Sequence, residues 1–388
     1  MFQLFELKQM CFFLSLAWMF LFAICAFAEV GVEPRKILLG THQPLSGPMK
    51  NYSQIGRGAS IYFQYLNDQG GIHGRKLVLL QEDDRFQPRI TLEVVEKLVM
   101  KDRVFALFSG IGTETSESTM PLLKSQGVPH FFIGSNARRF TEPSRHGIFG
   151  LLPTSEVEAR ILGEFVGTHH PGEKVILWFR DQPEFQEASK EISQKIQDNP
   201  LQFLPSRKDS NQYKAEWDAI KAGKPRAVIA LGPYDSLMKF LRSAEVTGPP
   251  IYTGNVLADS QLFRKLDSRI IGRLRVLTSF PLLLDTQHPG IRLHQAILRE
   301  YAPDMIGSRW TVYGHAVAEL MAEVLNRSGR ELTREVAIRS AENLKTWKGK
   351  LMPPVHLSPS QHLSMTFLRV SKIMPNTIQY LSDWIDGR

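Results

Sequence analysis

Three short loops contain the side chains of this sequence that are best suited to bind a ligand. Each follows an apolar run and combines glycine with small hydroxyl or amide residues: Gly40–Pro48 (GTHQPLSGP), Ser109–Thr113 (SGIGT) and Gly134–Asn136 (GSN). Glycines let a ligand approach the backbone, and the first free N–H groups of a helix favour an anion such as a carboxylate. The three loops together predict one wall of a binding cleft, although each loop alone is equally consistent with an ordinary turn.

Other chemistries have less support in the same residues. Gly110 and Gly112 supply half of a dinucleotide-binding fingerprint, but Thr115 stands where its third glycine belongs. That loop also follows a third strand, whereas the fingerprint follows a first. The pair His169-His170 indicates a capped helix end, and no histidines show the spacing of metal ligands. We therefore expect neither a cofactor nor a metal.

A secreted hydrolase is the alternative from a different class of protein. Asp83-Asp84 follows an apolar strand, and Ser46 offers a hydroxyl group. The sequence has no G-x-S-x-G nucleophile elbow, and no base, nucleophile and orienting residue assemble near Asp84. We expect no catalytic residues. The hydrolase hypothesis predicts turnover that is lost in Ser46→Ala or Asp84→Asn.

Alternating strands and helices must position the three loops. Apolar runs predict strands, and apolar residues at three- and four-residue spacing predict helices. The predicted strands are Ile37–Gly40, Lys76–Gln81, Val104–Phe108 and His130–Ile133, and the predicted helices are Ile55–Leu66, Thr91–Met100 and Glu114–Ser125. This order predicts a mostly parallel sheet with helices on both faces. Open sheets of this kind place ligands beyond the carboxyl ends of their strands.

The same pattern then begins again, which predicts a second lobe of similar size. Its predicted strands are Val175–Phe179, Ala227–Leu231, Ile251–Thr253 and Val276–Phe280, and its predicted helices are Glu156–Thr168, Glu184–Ile196, Ala215–Lys221 and Ser236–Thr247. Helices follow at Ile291–Tyr301, Trp310–Arg327 and Thr333–Leu344, before two alternating runs at Met365–Val370 and Thr377–Trp384 around a turn at 374–376. No long linker separates the two series, so we expect a hinge between lobes.

The first 28 residues predict a secretory signal peptide. The uncharged apolar run Cys11–Ala28 ends in Ala-Phe-Ala, with small residues where a signal peptidase requires them. An uncleaved membrane anchor is the alternative, because the run is close to the length that spans a bilayer. Both cysteines, Cys11 and Cys25, fall in this segment. The exported chain would then contain no disulfide, thiol nucleophile or cysteine-ligated zinc, and we expect it to be soluble.

The charge balance is moderately basic, with 47 Lys and Arg against 39 Asp and Glu. The densest basic stretch is 264–275, and elsewhere cations are scattered among acids. This distribution favours a solvated face over nucleic-acid binding. Attraction to an acidic partner or a membrane surface is the alternative.

At its loops the chain resembles a known family. GTHQPLSGP, IGRGASIYFQYLNDQGGIHGRKLVLLQEDD, SGIGT and GVPHFFIGSN, with WTVYGHAVA and LSPSQH more loosely, are similar to the leucine/isoleucine/valine-binding type of ABC-transporter substrate-binding protein. The resemblance implies an α/β type I periplasmic-binding fold, in which two Rossmann-like lobes with parallel central sheets are joined by three crossovers. It implies lobes of 36–152 plus 282–350 and of 153–281 plus 351–388.

The resemblance also implies the function and the site. We expect a periplasmic monomer that binds a small molecule, has no cofactor, and docks transiently on an inner-membrane ABC permease. A sensory protein of the same fold is the alternative. The implied ligand-binding residues are Ser46, Gly112, Thr113, Gly134, Ser135, Asn136, Phe185, Tyr234 and Asn255.

Three departures from the family pattern bear on the ligand. A disulfide of well-known members is absent, because Phe86 and Gly112 stand at its positions. Phe185-Gln186 replaces Tyr-Gly and loses a phenolic hydroxyl. The acid that pairs with an amino acid's ammonium falls near Asn255-Val256, where the sequence has none, and an unpaired ammonium in a desolvated cleft is costly. The expected ligand is therefore an amino acid, amide, urea-like molecule or carboxylate.

Overall fold

The computed structural model describes residues 29–207, 212–259, 265–374 and 377–388. The expected signal segment 1–28, with both cysteines, lies outside these ranges, as do Pro375 and Asn376 of the expected turn. Within the described ranges, no helix is both long enough and apolar enough to cross a membrane.

The first sheet has five parallel strands in the order β2-β1-β3-β4-β5. Its inner strands are continuous apolar runs because helices cover both of their faces. The strands are β1 (Lys36–Gln43), β2 (Lys76–Asp83), β3 (Ala106–Phe108), β4 (His130–Ile133) and β5 (Ile148–Gly150), and the helices between them are α1 (Ser53–Asp68), α2 (Pro88–Glu96) and α3 (Thr113–Gln126). A single π turn over Lys97–Lys101 extends α2. The expected parallel sheet is confirmed.

The second sheet has eight strands and combines parallel with antiparallel pairs. Strands β6 to β10 are parallel, and the chain's last strands add to β10 in antiparallel fashion. The strands are β6 (Val175–Arg180), β7 (Leu201–Ser206), β8 (Ala227–Leu231), β9 (Ile251–Thr253), β10 (Leu274–Thr278), β11 (Phe367–Met374), β12 (Thr377–Tyr380) and β13 (Ile385–Asp386). The helices packed on it are α4 (Ser155–His169), α5 (Pro183–Lys195), α6 (Lys214–Gly223), α7 (Tyr234–Arg242) and α8 (Ser268–Arg273).

Four elements of the two lobes escape the sequence pattern: β5, β7, β13 and α8. Strand β5 has only three residues. Strand β7 lies at the sheet edge, where Phe203 is 46% exposed and Pro205 has no N–H to donate, so the strand shows no continuous apolar run. Helix α8 falls in the basic stretch, where Arg273 and Arg275 donate to backbone carbonyls. Those two guanidinium groups are therefore partly buried in the fold, which weakens the case for an open basic surface.

The remaining helices belong to the first lobe and pack against the elements of the first sheet. They are α9 (Pro289–Tyr301), α10 (Arg309–Arg327) and α11 (Arg334–Glu342). Helix α10 begins with a capping box, in which Ser308 Oγ accepts from the Thr311 N–H at 3.3 Å and Thr311 Oγ1 accepts from the Ser308 N–H at 2.9 Å. It then crosses α1 in close contact, since a Cβ on Gly314 would lie 2.0 Å from the Ile55 carbonyl oxygen. Glycine at 314 therefore sets the distance between these two helices.

Two separate groups of hydrophobic cores result. The first group has a large core that combines residues of β1 to β5 with residues of α1, α10 and α11, together with three smaller clusters, and the second group lies on the second sheet. The chain passes between the two groups three times within the described ranges, at 151–154, 279–288 and 345–366. The protein is thus two α/β lobes, which we call the first and the second lobe after their sheets. The lobe boundaries expected from the resemblance stay a prediction.

Candidate functional site

A cavity of about 410 Å³ lies between the two lobes. The loops that follow β4 of the first lobe and β8 and β9 of the second lobe line it, as does the start of α10. This is the edge at which parallel sheets collect their functional loops. The volume falls in the range of pockets that enclose small-molecule ligands.

The first lobe contributes aromatic rings to this cavity. The Tyr52 and Trp310 rings meet edge to face with centroids 4.6 Å apart, and Phe86 lies 6.2 Å from Tyr52 on the other side. We call Tyr52, Phe86 and Trp310 the ring wall. Such a surface favours an apolar or flat ligand body, because aromatic contacts add to the free energy of burial.

Buried polar groups support the ring wall from behind. Asp84, which is fully buried, accepts from the Phe86 backbone N–H at 2.8 Å and from His42 Nδ1–H at 2.8 Å. His130 lies next to His42 with ring centroids 5.8 Å apart, and its Nε2 accepts from the Gly110 N–H at 3.3 Å. Burial, with a smaller contribution from His42, holds the pKa of His130 well below its ordinary value. A neutral His130 is therefore the form that accepts this bond from the loop.

The second lobe contributes polar groups to the cavity. The Glu158 carboxylate accepts from the Asn255 N–H at 3.2 Å, and Thr253 Oγ1 is buried without a hydrogen-bond partner among the described residues. We call Glu158, Thr253 and Asn255 the polar wall. Burial raises the pKa of Glu158 to about 7, although the Asn255 N–H and the Arg309 guanidinium both act to lower it. Near neutral pH this carboxyl group is therefore present in both protonation states.

Glu158 corrects one expectation from the sequence. We expected no acid beside Asn255, because residues 254–256 contain none. The structure supplies one from helix α4, which lies 97 residues earlier in the chain. The inference that the cleft lacks a negative group is therefore wrong.

Arg309 connects the two walls. It is the first residue of α10 in the first lobe, and its Nη1–H donates to the Val256 carbonyl of the second lobe at 3.1 Å. Its guanidinium lies 4.7 Å from the centre of the Trp310 ring. Burial lowers the pKa of Arg309, yet a guanidinium stays protonated across the physiological range. Among the described residues that line the cleft, Arg309 therefore supplies the one permanent positive charge.

Five of the nine residues implied by the resemblance line the cavity. They are Gly112, Gly134, Asn136, Phe185 and Asn255. Their contact with a ligand stays a prediction.

The other four do not line the cavity, and each has a local partner. Ser46 is exposed and donates to Asp83 at 2.6 Å. Thr113 and Ser135 share a hydrogen bond of 2.7 Å between their hydroxyls, and the Tyr234 hydroxyl accepts from Lys265 at 3.1 Å. Gly112 stands at the N-cap of α3.

The sequence reasoning missed the residues that give the cavity its charge and its rings. Glu158, Arg309, Tyr52 and Phe86 all line it and none was a candidate. Trp310 belongs to the segment WTVYGHAVA, which contributes to the family resemblance but does not by itself indicate a ligand contact. No short motif could have found these residues, because they come from separate elements that only the fold brings together.

Ser46 and Asp84, the residues of the hydrolase hypothesis, have separate hydrogen-bond partners. Ser46 Oγ has a carboxylate as its partner, and Asp84 is bonded to a buried histidine on the far side of the ring wall. Among the described residues, no group of three or more His, Cys, Asp or Glu side chains is placed to bind a metal ion.

The fold and the cleft define a class: two-lobed α/β binding proteins with their site between the lobes. The chain belongs to the periplasmic binding protein family, whose model matches residues 36–373.

Sequence relatives agree with this family. A leucine-, isoleucine-, valine-, threonine- and alanine-binding protein of Pseudomonas aeruginosa is 24% identical over 234 residues, which cover 58% of this chain and 61% of the relative. An amino acid binding protein of the same organism is 27% identical over 134 residues, 34% of this chain and 35% of the relative. The matched segments thus span about a third to three fifths of these relatives.

Solved structures are similar over nearly the whole chain. A branched chain amino acid ABC transporter from Thermus thermophilus with bound valine has a TM-score of 0.73 at 16% identity, covering 92% of this chain and 97% of its own. A fatty acid ABC transporter substrate-binding protein from Thermomonospora curvata has a TM-score of 0.71 at 16% identity, covering 92% and 94%. At these identities the likeness shows the fold alone.

Proposed function

We propose that this chain is a periplasmic receptor that closes around one small polar ligand and delivers it to an inner-membrane ABC permease. The observation that carries the proposal is the cavity between the lobes, whose opposite walls present Glu158 and Arg309. Charged groups in a desolvated cleft fix the orientation of a ligand whose remaining surface is apolar. Binding stabilises the closed arrangement by its differential affinity alone.

The ligand class is an amino acid, amide, urea-like molecule or carboxylate. The names of the Pseudomonas relatives and of the Thermus structure point to amino acids, and the Thermomonospora structure points to an acid without an amine. Export is expected to leave Glu29 as the first residue of the protein recovered from the periplasm, which N-terminal sequencing tests.

A thermal-shift screen of the chain against amino acids, organic acids, amides, ureas and polyols tests receptor function. A ligand at about 100 times its Kd should add roughly 2.7 kcal/mol to the free energy of unfolding. The screen is repeated on the protein after unfolding and refolding, so that a co-purified ligand does not hide the shift. The absence of a shift with every compound would contradict the proposal.

Two matched tryptophan variants localise the binding. Val256 lines the cavity and is 36% exposed, and Ile306 is 86% exposed outside it. Val256→Trp should fill the cleft and abolish the ligand-dependent shift, whereas Ile306→Trp should retain it. Equal responses of the two variants would place the ligand elsewhere.

A further inference from the structure

The Arg309 guanidinium is a half-buried cation that the described residues do not neutralise. Its hydrogen bond to Val256 uses a neutral carbonyl, and no described carboxylate lies within ion-pair distance. After burial, the largest influences on its pKa come from Asp259, Tyr52, Tyr234 and Glu158, in that order. A charge removed from water without a partner is costly, and a bidentate anion is the partner that a guanidinium suits best.

We infer that Arg309 is the anion-binding residue of the cleft and that the ligand is an organic carboxylate with a flat apolar body. This inference rests on the proposed receptor function and narrows its ligand class. The carboxylate lies against Arg309, and the body lies on the ring wall beside it. The wall is continuous with the guanidinium, because Trp310 stacks under Arg309 and meets Tyr52.

The loops first predicted to bind the anion are less suited to that task. The hydroxyls of Thr113 and Ser135 bond to each other at 2.7 Å, and Ser135 Oγ also accepts from the Ala137 N–H at 3.1 Å. The Phe86 ring covers Gly112, since a Cβ there would lie 2.7 Å from it. The start of α3 is therefore shielded by an aromatic ring where an anion would otherwise approach.

The polar wall admits an anion because its acid is not fully charged. With a pKa near 7, Glu158 is partly protonated at neutral pH, and its protonated form can donate a hydrogen bond to a carboxylate. Among the described residues, the other charged side chains that line the cavity are Arg309 and Glu184, which belongs to α5. Arg309 thus supplies from the protein the positive charge that an amino acid's ammonium would otherwise bring.

The rest of the cavity suits an apolar body. Around the two walls its lining is dominated by aliphatic and aromatic side chains: Ile55, Ile111, Leu152, Leu237, Leu282 and Phe280. Burying such a body contributes about 25 cal/mol for each Å² removed from water.

A matched series of probes tests the inference by calorimetric titration of the chain: 3-phenylpropanoate, phenylalanine, phenethylamine and 3-phenylpropanamide. All four compounds contain one phenyl ring, and they differ in the charged or polar groups on the chain attached to it. We expect 3-phenylpropanoate to bind more tightly than phenylalanine, the amide to bind weakly, and phenethylamine not to bind. A preference for phenylalanine or phenethylamine would overturn the inference and leave receptor function intact. If none of the four probes binds but another solute of the broad screen does, the inference is likewise overturned and receptor function is left intact.

Variants of Arg309 distinguish the effect of its charge on the ligand from the effect of its hydrogen bond to the Val256 carbonyl. Arg309→Gln should weaken 3-phenylpropanoate about tenfold or more, the usual loss for a hydrogen bond to a charged group, while the amide changes little. The affinity of Arg309→Lys for 3-phenylpropanoate should lie between those of the parent and Arg309→Gln, because lysine keeps the positive charge but lacks the paired N–H donors of the guanidinium. The affinity of Thr113→Ala for 3-phenylpropanoate should stay within about twofold of that of the parent. An equal loss for acid and amide in Arg309→Gln, or a larger loss in Thr113→Ala, would refute the assignment.

Discussion

The ring wall and the polar wall differ both in what they present to the cleft and in what lies behind them. The ring wall presents aromatic side chains and rests on the buried polar group of His42, Asp84 and His130. The polar wall presents Glu158, Thr253 and Asn255 and belongs to a lobe with an aromatic core, in which Trp178 and Trp217 stack on Phe240 at 4.1 and 4.6 Å. The two lobes therefore present different chemistry to the cleft: the first lobe presents rings and the Arg309 guanidinium, and the second lobe presents a carboxyl, a hydroxyl and an amide group.

The largest expected effect concerns the support of the ring wall. Asp84→Ala removes the acceptor of both His42 Nδ1–H and the Phe86 N–H. Because these donors stay buried without a partner, we expect the free energy of unfolding to fall by about 3–5 kcal/mol, as measured by urea denaturation. Asp84→Asn keeps an acceptor oxygen, so its free energy of unfolding should fall clearly less than that of Asp84→Ala. A loss below about 1 kcal/mol in Asp84→Ala would show that the ring wall does not depend on this polar support.

The second effect concerns the acid of the polar wall. Burial raises the pKa of Glu158 from 4.5 to about 7, so the folded state binds its proton more tightly than the unfolded chain does. The stability from this group is therefore complete below about pH 4.5 and is lost as the pH rises toward 7, a decrease of roughly 2–3 kcal/mol.

Urea denaturation between pH 4.5 and 8 measures this dependence. Because other groups also titrate, the relevant quantity is the difference between the parent and Glu158→Gln, in which this contribution is absent. We expect the variant to lose less stability over the range. Parallel curves for the two proteins would place Glu158 in a solvated, ordinary environment and would remove the contrast between the walls.

The smallest effect is expected at Ser46, in the loop that follows β1. Ser46 is exposed, and its hydroxyl donates only to Asp83. Ser46→Ala should lower the free energy of unfolding by less than about 1 kcal/mol and should leave ligand affinity unchanged. A clear loss of affinity in a titration with the cognate ligand would extend the ring wall to this loop.

The sequence predicts the lobes well and the site only in outline, and both results have physical reasons. Strands buried on both faces leave apolar runs such as β6, which are visible in the sequence, whereas the half-exposed edge strand β7 leaves none. Backbone positions such as Gly112 and Gly134 are visible because glycine at a strand end is a local signal.

The charges of the site are not local signals. Glu158 meets Asn255 across 97 residues, and Arg309 meets Val256 across 53. Nothing in the composition of α4 distinguishes Glu158 from the solvated acids around it. Only the approach of α4 to the loop after β9 makes it a wall residue, and that approach depends on the packing of a whole lobe.

The bond between Arg309 and Val256 has a consequence for how this protein can diverge. The acceptor is a main-chain carbonyl, so every residue type at position 256 supplies it. The side chain at 256 lines the cavity and can therefore change with the ligand, while the contact between the lobes is inherited unaltered. Descendants of this chain could acquire new specificities at that position without first rebuilding the contact that joins their lobes.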